Sequence, residues 1–320
     1  MIDHFVLSNG DIEQYDYNGL VNKPSLSVVK EAYWLKTNHE ILDKYGYYYV
    51  DGVNGNDSND GKTQSTAFKT LEPVWDAVRH GDIEIRISLK GGNTYEWTPY
   101  NITSLAIHLA SYGTGNVTIN MPEDDIAFYN CHMKISGSFG SHIVFTGDDT
   151  IYFDGGSVYF EYAEIEKFLV YGTGTYCANT VLDAVDINFA NAYFGSCTLG
   201  GISGNSGVVK FASCTFDTSK KHPNLTNEFI WLDNSMLTIV GNTNIIIDNP
   251  YTSGSFLRVR GGTLALLAGA QVTNQGSSLF GTGLNMDASL LMSTTARADS
   301  FSYVGTNAYS TMNGGFTNLV

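Results

Sequence analysis

From about residue 101 onward the chain is written in units of roughly 20 to 28 residues, each holding two or three short apolar alternations cut by Gly, Asn or Asp. SLAIHLASYGTGNVTIN, IYFDGGSVYFEYAEIEKFLVYGTG and FIWLDNSMLTIVGNTNIIIDN are examples. An alternation of period two is the mark of a strand. A unit this short cannot bury its own apolar face, so it must stack on its neighbours as one coil of a solenoid. A β-sandwich would place hairpin turns between strands, whereas the corners YGTG, SGSFG and GNTN recur at coil-like intervals. Runs such as Ile245-Ile246-Ile247 and Leu264 to Leu267 read as coil interior, and no long amphipathic helix follows residue 80. The reading is all-β, a parallel β-helix. Its 34 Gly, 20 Tyr and 17 Phe beside 6 Pro suit many short strands with tight turns. Charged residues make up only 15%, so much of the outer surface must be Ser, Thr, Asn, Gly and aromatic.

The first coil has its own introduction. Tyr47 to Val50 is an aromatic and β-branched run, and Asp51 to Gly61 is a turn-residue cluster too polar to be buried. A helix is expected near 70–80, with Thr70 as N-cap, Pro73 in the first turn, Gly81 at C′, and Leu71, Val74, Trp75 and Val78 on one apolar face. Lying across the open end of the coils, it would cover the first rung. Tyr49, Val50, Gly55, Asp57, Asn59, Gly61, Ala67, Phe68, Thr70, Leu71 and Ala77 together resemble the β-helix entrance of bacteriophage tailspikes and pectate-lyase-like proteins. Upstream, YDYNGLVNKPSL (15–26) is similar to the linker near the N-termini of phage tail fibre and baseplate proteins; physically it is an extended segment, because Lys23 precedes Pro24.

These resemblances imply a right-handed winding and a homotrimer. They divide the chain into residues 1–45, which attach to other tail or capsid proteins, and a β-helix over 46–320 that recognises a host cell-surface glycan and either cleaves it or only binds it. A non-enzymatic structural fibre or decoration protein is the alternative. Ser27 to Lys44 reads as a neck helix in which Val28, Leu35 and Leu42 recur every seventh residue; that seam suits either three chains packed together or one helix on its own β-helix. The implied location is the virion, which fits an N-terminus without the basic and apolar regions of a signal peptide, and no apolar run long enough for membrane insertion.

The net charge of −15 argues against nucleic acid and disfavours a strongly anionic polysaccharide unless a local basic patch overrides the average, which leaves neutral sugars as the easier partner. A depolymerase would need two carboxylates on one outer face. Glu164 and Glu166 flank the inward Ile165 and are the candidate catalytic pair for a glycoside hydrolase, while Asp183 and Asp186 are an odd number apart and cannot share a face of a regular strand. A lyase would need a basic site, and Arg258 and Arg260 alternate with Leu257 and Val259 as candidate binders of a sugar acid. Tyr159, with Tyr152, Tyr162, Tyr171 and Tyr193, offers ring faces for stacking on pyranoses. No cofactor is expected. Asn56, Ser58, Asp60 and Gly61 imitate half of a calcium loop, with Asp57 and Asp60 as its acids, but Ala67 stands where the bidentate Glu belongs, so a hydrogen-bonded loop is the default. Of the four cysteines, Cys131, Cys177, Cys197 and Cys214, the first and the last two share an aromatic three residues upstream, and these equivalents are expected to stack as a ladder of small buried thiols.

Overall fold

A computed structural model describes residues 45–78, 84–98, 101–147, 150–220, 222–246 and 255–274, and beyond these the strands 282–287, 290–293, 301–302, 309–313 and 316–319. The linker, the neck helix, Gly81 and Ile247 lie outside the described residues.

All pairings between named strands are parallel, and from Glu84 onward they sort into three columns visited in the same order on each turn; before it, a loop and a short helix separate Tyr45–Val50 from Glu84–Lys90. The first column begins with Tyr45–Val50, Glu84–Lys90, Ala106–Tyr112 and His132–Ser136, continues through Ser157–Glu161, Gly174–Ala178, Asn191–Gly195 and Val208–Ala212, and runs on to Phe316–Leu319. The second contains Thr94–Glu96, Val117–Asn120 and Ile143–Thr146; the third contains Asn101–Thr103, Ile126–Tyr129 and Thr150–Asp154. Further on, Ala163–Tyr171, Val181–Asn188 and Thr198–Asn205 each cross from the second column into the third. The chain is therefore an all-β parallel solenoid, as the repeat requires.

One regularity is tighter than the sequence reading allowed. Ser157, Gly174, Asn191 and Val208 occupy successive rungs, so three central coils are 17 residues long; Val208 then pairs with Met236, a 28-residue coil. The short coil is possible because its corners need almost no residues. At the corner from third to first column a left-handed residue turns the chain: Ser104, Asn130, Gly155, Gly172, Phe189, Ser206, Asn234 and Gly261 in successive coils, all with φ between 47° and 73°, and after Gly155 the next residue, Gly156, is left-handed as well. A small or apolar residue follows, and where it carries a hydroxyl or thiol that group donates to the carbonyl two residues back, as in Thr173 to Tyr171 (2.9 Å), Ser235 to Asp233 (2.7 Å) and Cys131 to Tyr129 (3.4 Å). The same carbonyls also accept a backbone N–H from the preceding coil (Gly155 to Tyr171, Ser206 to Asp233, Ser104 to Tyr129), so the side chain adds a second bond to each and satisfies its own donor inside the corner. The corner from first to second column works identically in the central coils: Tyr162, Asn179, Ser196 and Ser213 are left-handed, and Thr180, Cys197 and Cys214 donate back to Ala178, Gly195 and Ala212.

This device explains the cysteines. All four are free and buried. Cys197 and Cys214 stack on consecutive coils at one corner, but Cys131 sits at the other corner; its sequence context looked equivalent because both corners pair a left-handed residue with a small one. Cys177 lies in the interior row Phe160, Cys177, Phe194, Phe211.

Inside the coils, phenylalanine dominates: Phe128, Phe153, Phe160 and Phe168 form one packed group, with Phe128 and Phe153 rings stacked at 4.7 Å. At the N-terminal end a short helix, Glu72–Val78, buries Leu71, Val74 and Trp75. Trp75 packs on Trp97 at 4.8 Å, and Trp97 on Phe128, so the helix continues the core and closes its end as expected. Thr70 does not cap by its hydroxyl; it donates to Asp57, whose carboxylate also accepts the N–H groups of Lys69 and Thr70.

Among the described residues, the buried side-chain atoms without a hydrogen-bond partner are Trp75 Nε1, Arg258 Nε and the Thr175 hydroxyl. Thr175 is 5% exposed, lies between Val158 and Ala192 on the inner row, and its hydroxyl has no partner. Thr175→Val keeps the shape and removes an unsatisfied hydroxyl, so it should stabilise the solenoid by about 1 kcal/mol. A denaturation midpoint unchanged or lowered in the variant would contradict this.

Candidate functional site

Residues of the first column alternate inward and outward, and equal coil lengths place outward residues of the same kind directly above one another. Tyr159, Tyr176 and Tyr193 are such a set. Their rings stack nearly parallel, with centroids 4.9 and 5.0 Å apart and interplanar angles of 7° and 11°. The outer faces of the stack are covered as well: the Lys134 ammonium lies 5.5 Å from the Tyr159 centroid and Lys210 lies 5.4 Å from that of Tyr193. Five side chains on five consecutive rungs thus form one continuous pile.

The geometry corrects the expectation that these tyrosines offer ring faces to a sugar. The faces are turned along the solenoid axis and used by each other; what solvent meets is the ring edges and the phenol groups. Ring edges carry the positive end of the aromatic quadrupole. Burial, then the charge of Glu161 and the neighbouring Tyr176, push the Tyr159 phenol up, and burial with Tyr176 does the same to Tyr193, so both remain O–H donors at neutral pH. The Tyr193 ring leans towards Gly195, where an added methyl would meet its Cε1 at 3.1 Å. Along the pile runs a groove of about 540 Å³, lined by the tyrosines together with Ser157, Gly174, Asn191, Val208 and Lys210. None of its lining residues is an Asp or Glu.

Set beside known proteins, the chain matches no protein-family profile and no curated sequence. The reading of the site therefore rests on its own geometry.

The other candidates fall elsewhere. Glu164 lies in the second column and accepts from His142 Nδ1 at 2.7 Å. Glu166 is exposed at the corner where the strand turns into the third column; its neighbours Ile165 and Lys167 pair with Leu182 and Ala184, but Glu166 itself is skipped in the register. Asp183 and Asp186 do both face outward, because the same corner buries Ala184 and Val185 in succession. Asp183 binds Lys220 at 2.8 Å, and Asp186 binds the buried His222 at 3.1 Å through Nε2 while Nδ1 accepts the N–H of Asn224.

Arg258 and Arg260 do project from one coil, but each is already paired from the coil below. Arg258 binds Glu228 at 2.9 Å, Arg260 forks onto Asp233, and both guanidinium groups lie over Trp231, at 4.8 and 5.6 Å from its centroid. A sugar acid would have to displace these partners. Asp57 and Asp60 are occupied by backbone and hydroxyl donors within the loop: Asp60 accepts from Thr66 and from Lys62 N–H, which hold its carboxyl below the usual range. Among the described residues no group of three or more His, Cys, Asp or Glu is arranged to hold a metal ion. Tyr152, Tyr162 and Tyr171 are dispersed, against Tyr129, His142 and Phe189 respectively.

Sequence reading missed Tyr176, Lys134 and Lys210. The signal was present in SVYFE, GTYCA, NAYFG and VVKFA, whose third residues are Tyr, Tyr, Tyr and Lys at intervals of 17.

Proposed function

We propose that this chain is the receptor-binding part of a phage tailspike or tail fibre: a right-handed, homotrimeric β-helix that holds a host surface glycan in the groove beside Tyr159, Tyr176 and Tyr193 and is carried on the virion by residues 1–45. The groove supports the reading most directly. It spans four successive rungs along the solenoid axis, as a linear polymer needs, and the tyrosines bring phenol donors to a mostly apolar lining, which suits a ligand with both hydroxyl groups and C–H faces. Binding without cleavage is favoured over hydrolysis, because hydrolysis needs two carboxylates facing the bond and the groove lining supplies none.

Gly174 provides the test. It lies on the groove floor, its backbone is outside the left-handed region, and a Cβ there would meet nothing nearer than the Gly156 carbonyl oxygen at 4.0 Å. A Gly174→Phe ring would fill the groove without disturbing the coil. The expected result is that the wild-type protein retards an intact surface polysaccharide in affinity electrophoresis and that Gly174→Phe loses at least tenfold in affinity with an unchanged melting temperature. Shortened polymer would make it a depolymerase; absence of retardation across neutral and acidic polysaccharides would leave a structural fibre. Light scattering should give three times the 34.9 kDa chain mass, and a monomer would remove the trimer.

A further inference from the structure

The outward row that contains the tyrosines extends well beyond them. Read rung by rung from the N-terminal end it is Tyr47, Arg86, His108, Lys134, Tyr159, Tyr176, Tyr193, Lys210. In a chain of net charge −15 this row has three permanent cations and no acid. The two flanking outward rows contribute Glu84 at one end and Glu161 beside Tyr159; their other members, from Ala106 to Val208 and from Ser88 to Ala212, are His132 or uncharged. Arg86, Lys134 and Lys210 have no carboxylate partner among the described residues. By contrast, Lys90, Lys220, Arg258 and Arg260 on other parts of the surface are all paired.

Arg86 and Lys134 lie two rungs apart, about 10 Å, and Lys134 and Lys210 lie four rungs apart, about 19 Å, so the cations are spaced along the row with no carboxylate between them. His108 lies on the rung between Arg86 and Lys134. Burial, then Arg86 and Lys134, push His108 down to about 4, so at neutral pH it is an uncharged hydrogen-bonding group beside Ser136 Oγ at 3.1 Å. The tyrosine pile adds positive ring edges and phenol donors to the same stripe. From Arg86 to Lys210 it covers six inter-rung steps, roughly 29 Å. The acids elsewhere on the molecule are screened beyond about 8 Å at physiological ionic strength, so the average charge does not decide what binds here.

We infer that the stripe Arg86–His108–Lys134–Tyr159–Tyr176–Tyr193–Lys210 binds an anionic glycan, one whose carboxylate or phosphate groups are met by Arg86, Lys134 and Lys210 while its hydroxyls are met by the tyrosine edges. This rests on the glycan-binding reading and reverses the preference for neutral sugars drawn from net charge. A single-stranded nucleic acid is the other polymer attracted to such a stripe, but it gains affinity by stacking bases on free ring faces, and here those faces are covered.

The test compares the full-length protein's affinity for polygalacturonate, a phosphomannan, uncharged dextran and a thymidine oligonucleotide of similar length, with Arg86→Gln, Lys134→Gln, Lys210→Gln and Gly174→Phe variants of unchanged melting temperature. Binding of polygalacturonate or phosphomannan at least tenfold tighter than dextran, weakening with salt and falling about fivefold or more with each charge variant, is the expected result; which of the two binds identifies the anion. Dextran bound equally well and lost only in Gly174→Phe would overturn the anionic inference and leave the groove as a glycan site. Preference for the oligonucleotide, or no binding by any of the four, would overturn both readings.

Discussion

Gly156→Ala should be among the most damaging single substitutions in the chain, costing roughly 3–5 kcal/mol or preventing folding outright. Gly156 has φ of +78°, and a Cβ there would sit 1.9 Å from the carbonyl oxygen of Cys131 in the preceding coil. That carbonyl accepts the N–H of Ser157 at 3.0 Å, so it cannot swing away without opening the ladder between two rungs. Gly172 separates the two causes. It has the same kind of conformation, φ +60°, but its Cβ would meet nothing within 4 Å. Gly172→Ala should therefore cost only the left-handed penalty of about 1 kcal/mol. Chemical denaturation of the two variants measures the difference; equal losses would mean that coil-to-coil contact at Gly156 is not what matters.

Asp51→Ala should cost about 3 kcal/mol at neutral pH, and the loss should shrink in acid. Asp51 is 4% exposed. Burial by itself would push its carboxyl up, but the Lys90 ammonium at 2.7 Å and the donors of Asn54 and Val53 outweigh it and hold the group well below the ordinary carboxylate range. With the folded-state value depressed, the unfolded chain binds the extra proton first. The contribution is complete above the unfolded pKa of about 3.9 and is lost as pH falls from there towards the folded value. Unfolding of wild type and Asp51→Ala at pH 7 and pH 3 should show the gap narrowing; a constant gap would mean that packing, not charge, is responsible.

Asp51 also shows where sequence reading stops. The cluster Asp51 to Gly61 is polar by composition, and exposure was the natural expectation for all of it. Its first residue is instead buried, because Lys90 and Asn93, about forty positions later, return on the next coil to neutralise it. The solenoid itself was legible, as was the capping role of Leu71, Val74 and Trp75, because both depend on periodicity within a segment. The site was not, since its neighbours lie across rungs. Glu164 and Glu166 attracted notice as neighbours along one strand, yet in this fold the closest outward contacts of Tyr159 are Lys134 and Tyr176. The same holds for Arg258 and Arg260, whose partners Glu228 and Asp233 precede them by a whole coil. Net charge failed for a related reason: a sum over the chain is blind to one row from which acids are absent.

The two kinds of corner differ in what they permit. Between the third and first columns the turn takes two residues, the first of them left-handed, in eight successive coils, from Ser104-Leu105 to Gly261-Gly262. Among the described residues the longer corners are the other two, for example Gly137 to His142 between the first and second columns and Met121 to Asp125 between the second and third. Chain growth in this molecule is therefore one-sided. Loops can be inserted, lengthened or exchanged at two corners while the seam beside the groove stays tight. A tandem duplication of one 17-residue unit would lengthen the binding face by one rung and one tyrosine, leaving the seam continuous.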